Sequence, residues 1–372
     1  MRSLPKYELE KLLEEAKGRL LVSEQAAEEY EKKKDLILDF VTSAMSKREN
    51  LIQLKGKDIL RVIISDCRNH INLMINVLSL CLPEVLIKVL PSIHTFYCED
   101  FFYDYFLTEL ESFRDAAKAL LSESSRDEIM RIYDWLIGKH KLIIDLSITL
   151  KPTTIELEHE WKKKKNQFLS YILEGDFEEA LKFTKKVIKE CDNILDFYVK
   201  ILHPALYKIG SLWEKGNITI AEEHLATSTV GRVMAYIYLK YLKFFSPKKS
   251  KSKALVLTPP NELHKLGARI VADLLEIDGW DVLFLGANVS KQNLIEIVKK
   301  NKPKLVAFSI TMPFNLKWVK ETIGLLKNIK ISPKVIVGGF VFNLAPDLYK
   351  KLDADYWAKD AKEAVEIARK IK

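Results

Sequence analysis

A change in hydrophobic periodicity near residue 253 is the feature that most constrains how this chain can fold. From there on, short and almost continuous apolar runs alternate with segments of helical period; the runs are ALVLT (254–258), DVLFL (281–285), KLVAFS (304–309) and KVIVGG (334–339). Strands that are apolar at nearly every position suit a parallel sheet covered by helices on both faces. We therefore predict that residues 253–372 form a doubly wound α/β domain.

The rest of this domain follows from the same alternation. A fifth strand is expected at 353–358, and helices are predicted at about 264–278, 290–300, 315–329 and 345–351, with a last helix from 360. Open sheets of this kind bind ligands beyond the carboxyl ends of their strands. The loops after the first, third and fourth strands are therefore the expected place for a binding site.

Glycine and proline divide the remaining sequence. Residues 1–150 contain only six residues of these two types, whereas residues 251–372 contain twelve. Long segments without them, with apolar residues three and four positions apart, predict helices. We expect six to eight helices in residues 1–150, the first running from Tyr7 to about Lys34. A four-helix bundle within residues 153–246 is predicted from the segments 154–173, 176–190, 192–214 and 219–245.

Composition argues against export, a membrane span and a nucleic-acid reader. The N-terminus lacks an apolar signal core, and no segment approaches the roughly 20 apolar residues of a membrane helix. Four scattered cysteines without a CxxC pair fit reduced thiols, so we expect a cytoplasmic protein. The net charge of +8 includes lysine runs at 162–165 and around 248–253. We interpret these runs as a solvated helix face and a linker, with anion binding as the alternative.

The loop after the first predicted strand carries an acid and an imidazole two positions apart. In the sequence TPPNELHKLG, Glu262 and His264 can approach each other in an extended backbone, and Gly267 follows. A carboxylate that hydrogen-bonds an imidazole fixes its tautomer and raises its basicity, as expected for the partner of a metal-binding histidine. Gly267 would let the next helix begin close to a bulky ligand.

The loops after the third and fourth strands add small and hydroxyl-bearing residues. Ser309 and Thr311 follow the third strand, and the fourth strand ends in Gly338 and Gly339. The two glycines are expected to open a slot into the domain, and the two hydroxyls are expected to hydrogen-bond a flat, nitrogen-bearing group there. A lone histidine in a loop is seldom a ligand. The joint occurrence of these residues at the strand ends is what indicates a binding site.

This set of residues resembles the cobalamin-binding domain, whose signature is D/E-x-H-x-x-G, then S-x-T or S-x-L, then G-G, on a flavodoxin-like sheet. All three parts occur in order within residues 253–372. The resemblance implies that His264 is the lower axial ligand of cobalt and that Glu262 is its hydrogen-bonded partner. It further implies that the displaced dimethylbenzimidazole tail of the cofactor runs past Ser309 and Thr311 into the slot at 338–339.

A second pattern lies in the predicted bundle, where Trp213 precedes the pair Glu223-His224 by ten residues. This W-x9-E-H pattern resembles the helical cap of cobalamin-based light sensors, which hold adenosylcobalamin. The resemblance implies that Trp213 stacks over the upper axial group and that Glu223 and His224 contact the adenosyl moiety. The alternative is that Trp213 is a bundle-core residue and that Glu223-His224 is a charge pair at a helix start.

The cap departs from the light-sensing repressors at one position. There a histidine follows the tryptophan and captures cobalt after photolysis, whereas Glu214 follows Trp213 in this chain. Capture by that position is therefore unavailable. The departure bears on the outcome of photolysis more than on the identity of the cofactor.

The first 150 residues have an aromatic-rich centre that includes Phe101-Phe102-Tyr103-Asp104-Tyr105-Phe106 and lack a winged helix-turn-helix. They resemble a helical sensor-globin-like module, and also the helical module of photocobilins, which are cobalamin photoreceptors with biliverdin as a second chromophore. The resemblance implies a tetrapyrrole site, for which the candidates are His70, His94, Tyr97, Tyr103, Tyr105, Trp135 and His140. The alternative is a purely proteinaceous sensor or dimerisation module with the aromatic residues as its core.

Three functions are compatible with these patterns. The first, which W-x9-E-H favours, is a light sensor and not an enzyme: photolysis of adenosylcobalamin changes the cap and thereby the assembly of the protein. The second is a corrinoid methyl carrier of a methyltransferase system, and the third is the small subunit of a radical mutase, which needs no helical cap. Because the sequence shows no output domain, a sensor would act through a homodimer or through a signalling partner in trans.

Overall fold

The structure is a computed structural model, and it describes residues 4–48, 59–94, 100–149, 157–191, 194–214, 216–242 and 252–371. The chain divides into two compact units, Met1–Pro152 and Thr153–Lys372, and each is described by itself. None of the described helices is both long enough and apolar enough to cross a membrane.

The first unit is helical throughout its described residues, as the sequence predicts. Its helices are α1 (Leu4–Arg19), α2 (Glu24–Lys32), α3 (Lys34–Ser46), α4 (Ile59–Leu80), α5 (Pro83–His94), α6 (Asp100–Leu120) and α7 (Glu123–Thr149). The predicted single helix from Tyr7 to Lys34 is wrong, because Ser23 begins a new helix. The Ser23 hydroxyl accepts a hydrogen bond from the N–H of Ala26, and the backbone N–H of Ser23 donates a hydrogen bond to the Glu128 carboxylate at 2.6 Å.

The contact between α2 and the start of α7 depends on one carboxylate. Glu29 accepts hydrogen bonds from the N–H and the hydroxyl of Ser122 at 2.9 and 2.5 Å, and Lys33 Nζ lies 2.7 Å from it. Hydrogen bonds from Lys33, and then from Ser122 and Ser125, lower the pKa of Glu29 to about 2. A carboxylate at a helix N-terminus also satisfies backbone N–H groups that have no partner within the helix.

We expect Glu29→Gln to lower the free energy of unfolding of the full chain by about 1–2 kcal/mol at pH 7, after allowance for solvent screening. The folded-state pKa is below the unfolded value, so this stabilisation is present above about pH 4.5 and is lost as the pH falls towards 2. Urea unfolding at pH 7 and at pH 2.5 measures the effect. The neighbouring Glu28→Gln is the control and should change the free energy by less than about 0.5 kcal/mol; equal effects of the two variants would contradict the assignment.

The second unit begins with helices, which we call the cap. They are α8 (His159–Leu173), α9 (Phe177–Cys191), α10 (Ile194–Asp196), α11 (His203–Glu214) and α12 (Ile220–Ile237). Two turns of π-helix interrupt the predicted regular helices: Phe197–Leu202 joins α10 to α11, and Tyr238–Leu242 follows α12. The predicted helix start at 154 is not confirmed, since α8 begins at His159 after the non-helical Glu158, and residues 154–156 lie outside the described ranges.

The cap is followed by a five-stranded parallel sheet in the order β2-β1-β3-β4-β5, which confirms the predicted sheet. The strands are β1 (Lys253–Leu257), β2 (Asp281–Gly286), β3 (Leu305–Ser309), β4 (Lys334–Gly338) and β5 (Tyr356–Ala358). The connecting helices are α13 (Lys265–Ile277), α14 (Lys291–Asn301), α15 (Leu316–Lys327), α16 (Phe340–Leu344), α17 (Leu348–Lys351) and α18 (Ala361–Ile371).

The predicted helix at 345–351 is confirmed only over Leu348–Lys351. Two short helices, α16 and α17, stand on either side of Pro346. Proline lacks the N–H that a continuous helix would use, and it disfavours helical backbone in the residue before it. The chain therefore turns at this position and starts again at Leu348.

One hydrophobic core is common to the cap and to one face of the sheet. It joins cap residues such as Phe168, Ile201 and Val233 to Val256 of β1 and Leu274 of α13, all of them almost fully buried. Burial of apolar surface stabilises folding by about 25 cal/mol for each Å² removed from water. The cap and the sheet consequently fold as one packed body rather than as two tethered ones.

Candidate functional site

The sheet order places the ends of three strands beside one another. Strand β3 lies between β1 and β4, so the loops that follow these three strands meet at one edge of the sheet. His264 ends the loop after β1 and is the first residue before α13. The carboxyl edge of a parallel sheet is where open α/β domains bind ligands.

The predicted pairing of Glu262 with His264 is present in the structure. His264 Nδ1 lies 2.5 Å from Glu262 Oε1, and the backbone N–H of His264 is 3.3 Å from the same oxygen. The Glu262 side chain is completely buried, whereas 55% of the His264 side chain is exposed. An acid buried at the base of the loop thus holds an imidazole that reaches the surface.

The second oxygen of Glu262 connects this loop to the loop after β3. Glu262 Oε2 accepts hydrogen bonds from the backbone N–H groups of Thr311 and Met312, both at 3.0 Å, and Asn315 Nδ2 lies 3.5 Å from it. Sequence reasoning missed Met312 and Asn315, because nothing in their spacing from Glu262 signals a contact. Thr311 therefore contacts Glu262 through its backbone N–H. Hydrogen bonding of the Thr311 hydroxyl to a ligand stays a prediction.

Two opposing effects act on the ionisation of Glu262. Burial raises the pKa of this carboxyl, but the hydrogen bond and the charge of His264, together with the N–H groups of Met312 and Thr311, lower it by more. The carboxylate is thus held in its ionised form. Its bond to Nδ1 fixes the tautomer in which Nδ1 carries the proton, which leaves Nε2 as the nitrogen able to coordinate a metal.

The glycines of the site permit close packing. A Cβ atom at Gly339, where φ is +104°, would lie 2.3 Å from the carbonyl oxygen of Ile310, and one at Gly338 would lie 2.9 Å from that of Ala358. The space of each missing side chain is therefore taken by neighbouring backbone. This differs from the expected opening of a slot by the absent side chains, and passage of a cofactor tail there stays a prediction.

Gly267 occupies a less crowded position. A Cβ atom there would lie 3.8 Å from Ser309 Oγ, which is ordinary van der Waals contact. The first turn of α13 and the end of β3 are thus neighbours, and the approach of a bulky ligand to Gly267 stays a prediction. The hydrogen bonding of Ser309 to a ligand is not tested by this contact.

If His264 binds cobalt, as the resemblance to the cobalamin-binding domain implies, Glu262→Gln should weaken cobalamin binding by about 10- to 100-fold, the usual loss when the partner of a metal-binding histidine is changed. The amide removes the charge, and its NH₂ group cannot accept the bonds from the loop after β3 or from the imidazole. Titration of the protein with hydroxocobalamin, followed by absorption, measures the change. The exposed Glu296→Gln is the matched control, and unchanged affinity in the Glu262 variant would contradict the role of the pair.

The cap residues of the W-x9-E-H pattern lie at consecutive helix ends. Trp213 is on the last turn of α11 and 42% exposed, and the side chain of Glu214 lies outside the described ones. Glu223 and His224 are on the first turn of α12, which begins with a capping box between Thr219 and Glu222. His224 Nδ1 lies 2.5 Å from Glu223 Oε2, and 65% of the His224 side chain is exposed. Trp213 is thus not a residue of the bundle core, contrary to the alternative interpretation.

The candidate tetrapyrrole residues of the first unit are in part buried in its core. His70 stacks on Phe113 with ring centres 4.3 Å apart, and its Nε2 lies 3.3 Å from the hydroxyl of Tyr133. Burial lowers the pKa of His70 to about 3. Tyr105 is buried and donates to Asp66 at 3.1 Å, and His140 is buried as well.

The remaining candidates of the first unit lie elsewhere or are not described. Trp135 lines a surface groove of about 620 Å³ together with Arg19, Arg131 and Lys139. Tyr97 lies outside the described residues, as do the side chains of His94 and Tyr103. His70 packs against Phe113 and Tyr133 and Tyr105 against Phe106, which fits the alternative of an aromatic core.

Comparison with known proteins identifies the region that holds the site. Residues 252–367 match the family model of the B12 binding domain, and residues 165–238 match a second family model with the same description. The first match contains Glu262, His264 and the glycines, and the second covers most of the cap. The chain thus contains cobalamin-binding domains.

The relatives of the chain are corrinoid proteins. A corrinoid protein of Desulfitobacterium hafniense is 24% identical over 203 residues, which cover 54% of this chain and 93% of that protein. The monomethylamine corrinoid protein 2 of Methanosarcina mazei is 24% identical over 222 residues, 55% of this chain and 96% of that protein. Among solved structures, the monomethylamine corrinoid protein of Methanosarcina barkeri aligns with a TM-score of 0.48 and 20% identity, covering 57% of this chain and 99% of that one.

Proposed function

We propose that this chain, which contains cobalamin-binding domains, holds cobalamin with His264 Nε2 as the lower axial ligand of cobalt, in the base-off, histidine-on mode. The observation that carries the proposal is the buried Glu262 carboxylate, which holds His264 Nδ1 at 2.5 Å while more than half of the imidazole is exposed. Three further donors from the loop after β3 fix this carboxylate in place.

The donor set fits a corrin-bound metal. Among the described residues no group of three or more His, Cys, Asp or Glu side chains is placed to hold a metal ion. A corrin ring supplies four nitrogens of its own, so a single histidine from the protein is sufficient to complete the lower face. Imidazole nitrogen is also a suitable ligand for a first-row transition metal such as cobalt.

The upper face is proposed to be covered by the cap. Trp213 would shield the upper axial group from water, and Glu223 and His224 would orient the adenosyl group of adenosylcobalamin. The exposure of Trp213 supports this reading, whereas the 2.5 Å contact within the Glu223–His224 pair fits equally the alternative of a charge pair at a helix start. When bound, an alkylcobalamin supplies a cobalt–carbon bond that light can break and that a partner enzyme can make or break.

From the W-x9-E-H pattern we infer a light sensor, in which loss of the upper group changes the contacts of Trp213 and thereby the assembly of the protein. A ligand shifts such an equilibrium only by its difference in affinity for the two states. The sensor would pass on the light signal through a homodimer or through a signalling partner in trans. Biliverdin or another tetrapyrrole in the first unit is part of this proposal, with the purely proteinaceous module as the alternative.

A methyl carrier of a methyltransferase system is the second candidate. It is supported by the relatives named for monomethylamine, dimethylamine and trimethylamine, all of them corrinoid proteins. In that role Trp213 would cover a small methyl group, and the partner in trans would be a methyltransferase. The same lower ligand serves both candidates.

Reconstitution in the dark distinguishes the light sensor from the methyl carrier. The protein is loaded with adenosylcobalamin or methylcobalamin, and separately with biliverdin, and absorption and size-exclusion profiles are compared before and after green and red light. A sensor should change its elution after green light with adenosylcobalamin, and Trp213→Ala should abolish this change. The control is Trp161→Ala, since that indole lies against the ammonium groups of Lys164 and Lys200 at 5.0 and 4.5 Å. An unchanged elution profile in the wild type would favour the methyl carrier.

A further inference from the structure

A buried polar network joins the cap to the helix that follows His264. Tyr198, on the first π-helical turn of the cap, donates its hydroxyl to Asp273 Oδ2 of α13 at 2.6 Å. Arg269, one turn earlier on α13, lies with its Nε 2.6 Å from Asp273 Oδ1. The side chain of Asp273 is completely buried.

The second π-helical turn completes the same contact. The guanidinium of Arg269 lies over the ring of Tyr238 at 4.6 Å and is 5.3 Å from the ring of Phe284 on β2. Each π-helical turn of the cap thus presents a tyrosine to α13, Tyr198 to Asp273 and Tyr238 to Arg269. Single π-helical turns inside helices are rare and are frequently found at functional sites.

Burial disfavours the charged forms of both Asp273 and Tyr198. Burial raises the pKa of Asp273, although Tyr198 and Arg269 act against it, and burial likewise raises the pKa of Tyr198. A buried carboxyl group that loses one of its hydrogen-bond partners keeps the full cost of its burial, so removal of the Tyr198 hydroxyl is expected to weaken this contact. The Asp273 side chain is thus shielded from water, whereas 29% of the Arg269 side chain is exposed.

The network joins the two chain segments that carry the proposed site, one in the cap and one in α13. Along α13, Arg269 and Asp273 come five and nine residues after His264. In the cap, the π-helical turn that contains Tyr198 continues directly into α11, which carries Trp213. An α-helix advances about 1.5 Å per residue and transmits a displacement of one end to the other. A change at the network would alter the separation between Trp213 and His264 without touching either residue.

We propose that Tyr198, Asp273 and Arg269 are positioning residues that fix the cap at a set height above the His264 loop and thereby select the size of the group that fits on the upper face of the corrin. The proposal rests on the proposed binding of cobalamin. The three residues of the network do not touch the cofactor in this arrangement. Its effect should appear in the preference among upper ligands and not in the coordination by His264.

The test compares two cofactors that differ in the upper group. Tyr198→Phe removes one hydroxyl and keeps the ring, and its affinity for adenosylcobalamin should fall by about tenfold, the equivalent of one buried hydrogen bond. Its affinity for hydroxocobalamin, and the absorption band of histidine coordination, should stay within about twofold of the wild type. Asp273→Asn keeps the size of the side chain and should shift the preference in the same direction.

The matched control is Tyr30→Phe, which removes an equally buried hydroxyl whose partner, Tyr133, lies 2.6 Å away in the first unit. It should leave both affinities unchanged. Equal losses for the two cofactors in Tyr198→Phe, or no loss for either, would overturn the positioning role. Wild-type protein that binds neither cofactor would instead refute the proposed function.

Hydrogen exchange of the cofactor-free protein tests the network independently of binding. Tyr198→Phe should accelerate exchange of the backbone amides in residues 262–277 and in the π-helical turn at 197–202. Tyr30→Phe should not change the exchange in either segment. Unchanged exchange in both segments of the Tyr198 variant would contradict the proposed connection.

Discussion

Replacement of His264 by alanine should eliminate histidine coordination of cobalt and weaken cobalamin binding by at least about a hundredfold. Change of the partner of a metal-binding histidine already weakens binding by about 10- to 100-fold, and loss of the ligand itself removes the bond to the metal. The buried Glu262 would in addition face a cavity where the imidazole stood. Titration with hydroxocobalamin, followed by absorption and by equilibrium dialysis, measures both the spectrum and the affinity.

Two further measurements make this result specific. Added imidazole should restore the coordinated spectrum in His264→Ala, because a free ring can enter the space left by the side chain. His159→Ala, which removes an exposed histidine at the start of α8, should bind as the wild type does. An unchanged spectrum in His264→Ala would remove the ligand assignment and with it the proposed mode of binding.

Gly339→Ala is expected to destabilise the second unit by about 3 kcal/mol or more and to abolish cobalamin binding in the part that remains folded. The φ angle of +104° is unfavourable for any side chain, and the added Cβ would lie 2.3 Å from the carbonyl oxygen of Ile310. Strained backbone costs about 1–3 kcal/mol, and overpacking adds a similar amount. Relief of the clash would move the loop after β3, whose N–H groups hold Glu262.

Gly324→Ala is the control for this substitution. Gly324 lies on α15 with no heavy atom within 4 Å of the added Cβ. Alanine is the better helix former, so this variant should be more stable than the wild type by about 0.5–1 kcal/mol. Urea unfolding followed by tryptophan fluorescence measures both variants, and equal stability of the Gly339 variant and the wild type would contradict the packing argument.

The strands and the acid–imidazole pair could be predicted because their signals are local. Continuous apolar runs specify buried parallel strands, and a spacing of two residues is enough to bring Glu262 towards His264. The contacts of Glu262 Oε2 with Met312 and Asn315 could not be predicted in the same way. They depend on the placement of β3 beside β1, which is a property of the whole sheet.

The cap also contains a feature that the sequence could not predict, its π-helical turns. Apolar spacing predicted a regular helix over 192–214, but it cannot distinguish a regular helix from one that contains a π-helical turn, because the extra residue is absorbed locally. The turn at Phe197–Leu202 is nevertheless what brings Tyr198 to Asp273. The helix predicted at 345–351 was started too early for a different reason, because the predicted range included Pro346, where the chain turns before the helix begins at Leu348.

The common core of the cap and the sheet has a consequence for how the protein can be divided. Because Phe168, Val233 and Leu274 belong to one apolar cluster, the covalent connection between residues 242 and 252 is not what keeps the two halves together. A protease site engineered into that segment should therefore yield fragments that co-elute after cleavage and still bind cobalamin. Such a split protein would allow isotopic labelling of one half alone, so that the upper and lower faces of the cofactor could be observed separately by NMR.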